Sequence, residues 1–387
     1  MTRVGFRSSL ALCAVVLVLT SGVPVARADE VASSRARLQA ALEADLDRDP
    51  SIPGEALAVE APGLHVALAV GRADVASGAR LRPTTRFRVA SVTKTFVAAA
   101  VLRLVEQHRI GLAQPIARYL SPQSLAILRA GRYDPERITV RQLLRHTSGL
   151  FDYATSDSYD HVNEIDPAHH WTRAEQLQFA VDHGAPVAPP GTTFHYSDTG
   201  YVLLGEIIER VTGDSLATAA RELLHFRELG LDDTYWEQLE PPPDGNAARA
   251  HQYDGAFDNI GLDASHDLYG GGGIVSTVAD LATFYRALFR GQVFDEPGTL
   301  SLMTRVSRPG HAAGAAMGLF AERISGVRCF DHPGFWGTDT TYCPRLDLAF
   351  TRTVNQADDD GFDYGRLDRV VVDVARDARH AGPLGAP

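Results

Sequence analysis

Leu38, Leu42 and Leu46 recur every four positions and predict an amphipathic helix over Ser34–Asp47. Asp49-Pro50-Ser51-Ile52-Pro53-Gly54 ends it. Short apolar runs follow at Ala56–Val59, Leu64–Val70 and Phe87–Val89, divided by glycine and proline, and read as strands. From about residue 91 to 310 the pattern is mostly helical, with long loops. Strand-like runs return at Val327–Phe330, Thr338–Tyr342 and Leu348–Val354. A closing helix, Leu367–Arg379, places Val370, Val371 and Val374 on one face. Strands at both ends with helices between predict an α/β chain whose sheet is built from both termini. Residues 29–90 and 311–380 would form the sheet subdomain, 91–310 an inserted, mostly helical subdomain, and 381–387 a mobile tail.

The N-terminus carries a different pattern. Arg3 and Arg7 precede the apolar run Leu10–Leu19, and Ala26-Arg27-Ala28 offers small residues for cleavage. This predicts a secretory signal peptide cut after Ala28, and a secreted, extracellular product. The run is about half the ~20 residues that a membrane span needs, and no later stretch is long enough. Cys13 lies within the apolar run in a poor context for lipidation. Cleavage leaves Cys329 and Cys343, an even count that predicts a disulfide in an exported chain.

Composition narrows the class. With 387 residues, 45% of them apolar and 22% charged, the chain suits a globular protein of two subdomains. A net charge of −11 without a basic run argues against a nucleic-acid partner. Of 37 basic residues only one is lysine, Lys94. A chain that writes almost every positive charge as arginine has kept one ammonium, which points to a task arginine cannot do.

Ser91-Val92-Thr93-Lys94 is an S-x-x-K motif heading an apolar helical segment, Thr95–Val105. Such a helix is buried. At this spacing the amine and hydroxyl share a helix face. A serine hydroxyl is a weak nucleophile until a neighbouring base takes its proton. Lysine serves as that base if burial or nearby positive charge lowers its pKa, whereas a guanidinium does not deprotonate. The handling of S-x-x-K in acyl-transferring enzymes makes this the most specific signal in the chain.

Two weaker constellations accompany it. Phe194-His195-Tyr196-Ser197-Asp198-Thr199-Gly200-Tyr201 follows the turn Pro189-Pro190-Gly191 and precedes a helix to Val211 that Gly213 ends. Tyr196 would sit on a loop, where a phenol beside an ammonium has a depressed pKa and acts as a general base. His332-Pro333-Gly334-Phe335-Trp336-Gly337 lies between strand-like runs. Gly334 would admit close backbone approach, and the N–H of Phe335 would join that of Ser91 in binding an oxyanion. His332 would add a polar or positive group.

Other clusters read more simply. Asp157, Asp160, His161, Glu164, Asp166, His169 and His170 offer metal-ligand chemistry, but a solvated, lid-like loop is the expectation, and no metal is assigned. Asp358-Asp359-Asp360-Gly361 lacks calcium-loop spacing and reads as a surface turn. Gly270–Gly273 lacks a P-loop lysine and suggests close backbone packing. Trp236 and Trp336 suit either a pocket or the core. Nothing in these motifs calls for a cofactor.

Together the three motifs resemble the serine β-lactamase-related hydrolases, which include class C β-lactamases, D-Ala-D-Ala carboxypeptidases, D-aminopeptidases and esterases. The resemblance runs from about Ala56 to Asn355 and is most specific at Phe87-Arg88-Val89-Ala90-Ser91-Val92-Thr93-Lys94. Leu143-Leu144-Arg145-His146-Thr147-Ser148-Gly149-Leu150, Tyr201-Val202-Leu203-Leu204-Gly205 and Gly271-Gly272-Gly273-Ile274-Val275-Ser276-Thr277 support it. It implies a β-lactamase/transpeptidase-like fold, Ser91 as the acylated nucleophile, and Lys94 and Tyr196 sharing the general base and acid role. His332 and Gly334 match a third motif that begins with lysine in class C β-lactamases. Asp198 departs from the family's usual Asn, whose amide can donate to a substrate carbonyl. An ionised Asp198 cannot donate, but it can pair with Lys94 and shift the base role toward Tyr196. That argues against β-lactam hydrolysis more than against ester or peptide hydrolysis. The resemblance therefore implies a small peptide, ester or β-lactam substrate. A carboxypeptidase acting on D-amino-acid peptides such as peptidoglycan stems is the leading expectation. An esterase or β-lactamase, or an inactive cell-wall peptide binder, is the alternative.

Overall fold

The computed structural model describes residues 23–357 and 362–381. The N-terminal run with Cys13, the Asp358–Gly361 turn and the tail from residue 382 therefore lie outside the described residues. The first helix, α1 (Val23–Arg48), covers the predicted one and begins earlier, so it crosses the Ala26–Ala28 segment. Its Ala- and Arg-rich start favours helix, and Pro24 falls in the first turn, where proline is tolerated.

Six strands form one antiparallel sheet: β1 (Gly54–Ala61), β2 (Leu64–Gly71), β3 (Phe320–Ile324), β4 (Val327–Gly334), β5 (Thr338–Cys343) and β6 (Leu348–Val354). Their order is β2-β1-β6-β5-β4-β3, so the N-terminal hairpin pairs with the last C-terminal strand. Leu57 lies opposite Arg352 and Val59 opposite Phe350. Both faces of β1 are buried, which explains a continuous apolar run in place of alternation. Leu57 and Val59 pack with Leu38 and Leu42 of α1 and with Leu367 and Val371 of the closing helix. Ala56 and Ala58 face the other way, into the core of the helical region. Small side chains there let the helix Val278–Phe289 lie close against the sheet.

Two elements differ from expectation. Phe87–Arg88 leaves the main sheet and pairs with Ile274–Ser276, itself paired with Tyr235–Trp236. This small ribbon delivers the chain directly into the Ser91 turn. β3 was not visible in the sequence because it is an edge strand: four of its five residues are partly or fully exposed and carry no burial pattern. Cys329 of β4 and Cys343 of β5 are joined in the expected disulfide.

The helical region is centred on α2 (Thr93–Glu106), whose residues from Thr93 to Leu104 are all buried. Against it packs α3 (Asp198–Thr212), closed by Gly213 at φ +87°. The closing helix, α4 (Tyr364–Ala381), covers the outer sheet face with α1. Among the described residues, no helix is long and apolar enough to cross a membrane.

Candidate active site

Ser91 sits in a 3-10 turn, Ala90–Val92, that runs straight into α2. The residue before it, Ala90, has φ +45°, a left-handed backbone of the kind that costs a non-glycine residue about 1–3 kcal/mol. Packing holds the turn there. A methyl on Gly334 of β4 would collide with the Val89 carbonyl oxygen, so glycine lets that strand pass close to the nucleophile turn. Phe335 follows in the hairpin turn, with its side chain half exposed.

One helical turn beyond Ser91, Lys94 is fully buried. Its ammonium donates to Ser91 Oγ at 2.7 Å, to Asp198 Oδ1 at 2.5 Å and to the Gly271 carbonyl at 2.7 Å. Three donors meet three acceptors. Burial would lower this pKa, but above all the Asp198 carboxylate outweighs it and holds the amine above its ordinary value. The sequence condition for a neutral lysine base is therefore not met, because Asp198 opens α3 within reach of Nζ. The pairing expected for Asp198 is present.

The Tyr196 ring lies with its centroid 5.0 Å from Lys94 Nζ, and it lines the same two cavities as Ser91. Its expected depression is reversed. Burial pushes the phenol above its ordinary value, and the nearby ammonium offsets only part of that. His146 stacks on Tyr196 at 4.3 Å and on Tyr201 at 5.0 Å. The His146 Nδ1 accepts the Ser197 N–H at 3.1 Å. Burial and the Lys94 charge push its pKa well below the usual histidine range.

His332 lies on the same cavity wall as Ser91 and Tyr196. The expectation of a positive group fails there. Burial first, then the charge of Lys94, holds the imidazole at about 3, so it is neutral. Its Nδ1 is 2.8 Å from the Pro333 carbonyl.

Two further acids complete the charge cluster. Asp152 Oδ1 accepts the Asp198 N–H at 2.9 Å. Burial, then repulsion from Asp198, pushes Asp152 up to about 7 and Asp267 up to about 8. The Gly270–Gly273 run is packed as closely as expected. A methyl on Gly271 would strike Asp198 Oδ1, and one on Gly272 would strike Asp267 Oδ2. Sequence reasoning missed His146, Asp152, Asp267 and the Gly271 carbonyl as site residues. An isolated aspartate or a backbone oxygen carries no periodic signal, and His146 stood out only as part of a resembling run.

Two cavities meet at Ser91, Tyr196 and Phe335. The smaller, about 420 Å³, extends past Phe320 and His332 to Asp339 and Arg352. The larger, about 560 Å³, is walled by Tyr159, Trp336 and the acids Asp160, Glu164, Asp198, Asp254 and Asp267. Trp336 thus lines a cavity, while Trp236 belongs to the core. Asp160 and Glu164 project from a helix, Asp157–Ile165, where the sequence reading had a loop; buried Tyr159 and Asn163 anchor it. Among the described residues, no group of His, Cys, Asp and Glu is placed to hold a metal ion.

Comparison with known proteins bears on the family and the fold. The family model described as Beta-lactamase matches residues 39–373. A D-amino acid amidase of Ochrobactrum anthropi, solved with L-phenylalanine, superposes with a TM-score of 0.74 at 26% identity, over 89% of this chain and 99% of that one. A D-stereospecific amidohydrolase from Streptomyces superposes with a TM-score of 0.73 at 26% identity, over 88% and 98%. Esterase EstB of Burkholderia gladioli is 33% identical over 224 residues, 56% of this chain and 55% of the esterase. The chain thus spans just over half the length of that curated relative. With the family model covering both halves of the sheet and the helices between them, the chain belongs to the Beta-lactamase family.

Proposed function

We propose that this protein hydrolyses amides and esters of amino acids, of the D series, through an acyl-enzyme on Ser91. The observation that carries the reading is the Lys94 ammonium, hydrogen-bonded at once to Ser91 Oγ and Asp198 at the junction of two cavities. At rest both proton carriers are loaded, Lys94 as ammonium and Tyr196 as phenol. The reactive form is the one that has lost a proton from this coupled set. Ser91 gives its proton to that form as Oγ attacks the carbonyl carbon. The same proton then goes to the leaving group as its bond to carbon breaks. Water repeats the sequence on the acyl-enzyme. The Ser91 and Phe335 N–H groups are proposed to hold the oxyanion.

The charges favour neutral leaving groups over the carboxypeptidase alternative. Among the described residues lining the two cavities, the one full cation is Arg352, and Asp339 and Asp368 already pair with it. A free C-terminal carboxylate would find no unpaired cation. Asp160, Glu164 and Asp254, which line the larger cavity beyond the Lys94–Asp198 pair, suit an α-ammonium on the acyl side. The D-amino acid amidase and the D-stereospecific amidohydrolase support the D series. Export is proposed as well, supported by the disulfide between β4 and β5.

The test compares kcat/KM for D-phenylalanine amide, D-phenylalanine methyl ester, their L forms and D-Ala-D-Ala. The D-amide and D-ester should exceed D-Ala-D-Ala by a hundredfold or more. Faster cleavage of D-Ala-D-Ala would return the chain to the carboxypeptidases.

A further inference from the structure

His332 has a feature that its place in the third motif does not explain. Its side chain is 1% exposed, and its Nε2 has no hydrogen-bond partner. The partner of the other nitrogen fixes what Nε2 is. A carbonyl oxygen only accepts, so Nδ1 at 2.8 Å from the Pro333 oxygen carries the proton. In a neutral ring that leaves Nε2 as a bare acceptor. The ring is flanked by Phe320 at 5.3 Å and Tyr196 at 6.3 Å. It forms part of the wall of the 420 Å³ cavity that Ser91 and Tyr196 also line. A buried acceptor without a donor is unfavourable, and an incoming donor relieves it.

We propose that His332 is a specificity-determining residue that accepts a hydrogen bond from the leaving-group N–H, so that the site prefers amides over esters. This rests on the acyl-enzyme reading above. In the tetrahedral intermediate formed from an amide, the leaving nitrogen keeps its hydrogens. One of them donates to His332 Nε2, which turns the nitrogen lone pair toward the Tyr196–Lys94 set. The nitrogen takes the proton that Ser91 gave up, the C–N bond breaks, and a neutral amine departs while the acyl group stays on Ser91 Oγ. An ester leaving oxygen has no hydrogen to give. Its lone pairs would face that of Nε2, so the ester gains nothing from the residue. A carboxylate likewise offers only acceptors.

Two measurements test this. In the unaltered protein, the N-methylamide and N,N-dimethylamide of D-phenylalanine differ in the N–H; the N-methylamide should be cleaved at least tenfold faster, with D-phenylalanine methyl ester as the reference. Equal rates for the two amides would overturn the proposal. In the second, His332→Phe keeps a ring but removes the acceptor, and His332→Gln restores one. The amide kcat/KM should fall ten- to a hundredfold in His332→Phe, the amide-to-ester ratio should fall at least tenfold with it, and both should recover in part in His332→Gln. Parallel losses on amide and ester would make His332 a packing residue only. Absence of turnover on every amide and ester in the unaltered protein would instead sink the acyl-enzyme reading itself.

Discussion

Two of the buried cations that the described residues place among carboxylates, Lys94 and Arg352, lie on opposite sides of the sheet. Lys94 lies among Asp198, Asp152 and Asp267 in the helical region. Arg352 lies among Asp339, Asp368, Glu322 and Glu55 beneath α1 and α4, with 2.9 Å to Asp368. In each cluster burial pushes neighbouring acids upward, to about 7 for Asp339 and Glu322 and about 8 for Asp267. Charge arrangement alone therefore does not separate a working site from a structural one. The separating features are chemical. Lys94 can release a proton and touches the hydroxyl of Ser91, which stands where two cavities meet. Arg352 cannot release one, and two carboxylates occupy it.

The strongest test of that contrast exchanges the cations. Lys94→Arg keeps the charge but removes the exchangeable proton, and should lower kcat about a thousandfold in a steady-state assay. Arg352→Lys should leave kcat within threefold while lowering the melting temperature. Activity surviving Lys94→Arg would place the proton chemistry elsewhere. Removing a charge sharpens the same point. Arg352→Ala leaves Asp339 and Asp368 unpaired and should cost about 3–5 kcal/mol in denaturant unfolding.

Asp198 is the hinge between structure and chemistry in the Lys94 cluster. Because its charge raises the amine's pKa, Asp198→Asn should move the rising limb of the pH–rate profile to lower pH. A shift of about one unit, with kcat kept within tenfold, is expected. An unmoved limb would remove Asp198 from proton control. A comparable but smaller effect is expected at the phenol. His146→Gln keeps an acceptor for the Ser197 N–H but loses the stack on Tyr196, and should reduce kcat about tenfold with little change in KM.

How much of this could be read from the sequence divides along the same line. The S-x-x-K spacing and the solitary lysine located Ser91 and Lys94, because the helix period converts that spacing into contact. Tyr196 and Asp198 were legible as positions, but the protonation of the phenol was not. The sign of its shift is set by burial, which the Lys94 charge only partly offsets, and burial is not written in the local sequence. His332 shows the same divide. Its motif placed it at the site, yet only its burial and the Pro333 contact show it to be a neutral acceptor. In the fold, β1 announced itself as an apolar run and β6 as a strand-like run, both buried on both faces. The exposed edge strand β3 did not, and Phe87–Arg88 looked like a sheet strand because local pattern does not say which partner a strand will find.

The smallest effect expected concerns stability. Asp267 has a folded pKa near 8, above its unfolded value of about 4, so the native state holds more protons across that window. Its stabilising contribution is full below about pH 4 and is lost as pH rises through 8. Asp267→Asn does not titrate. Its melting temperature relative to the unaltered protein should therefore rise from pH 5 to pH 8, by about 2 °C or more. A constant difference across that range would mean that Asp267 is ionised throughout.

The central claim is that Ser91 carries the acyl group. It is tested most directly by mixing the protein with p-nitrophenyl acetate, quenching in acid within the first turnovers, and mapping the mass increment by peptide mass spectrometry. The account predicts an acetyl group on the peptide containing Ser91, and no increment or turnover in Ser91→Ala. An acetyl group on another residue, or turnover that survives Ser91→Ala, would contradict it.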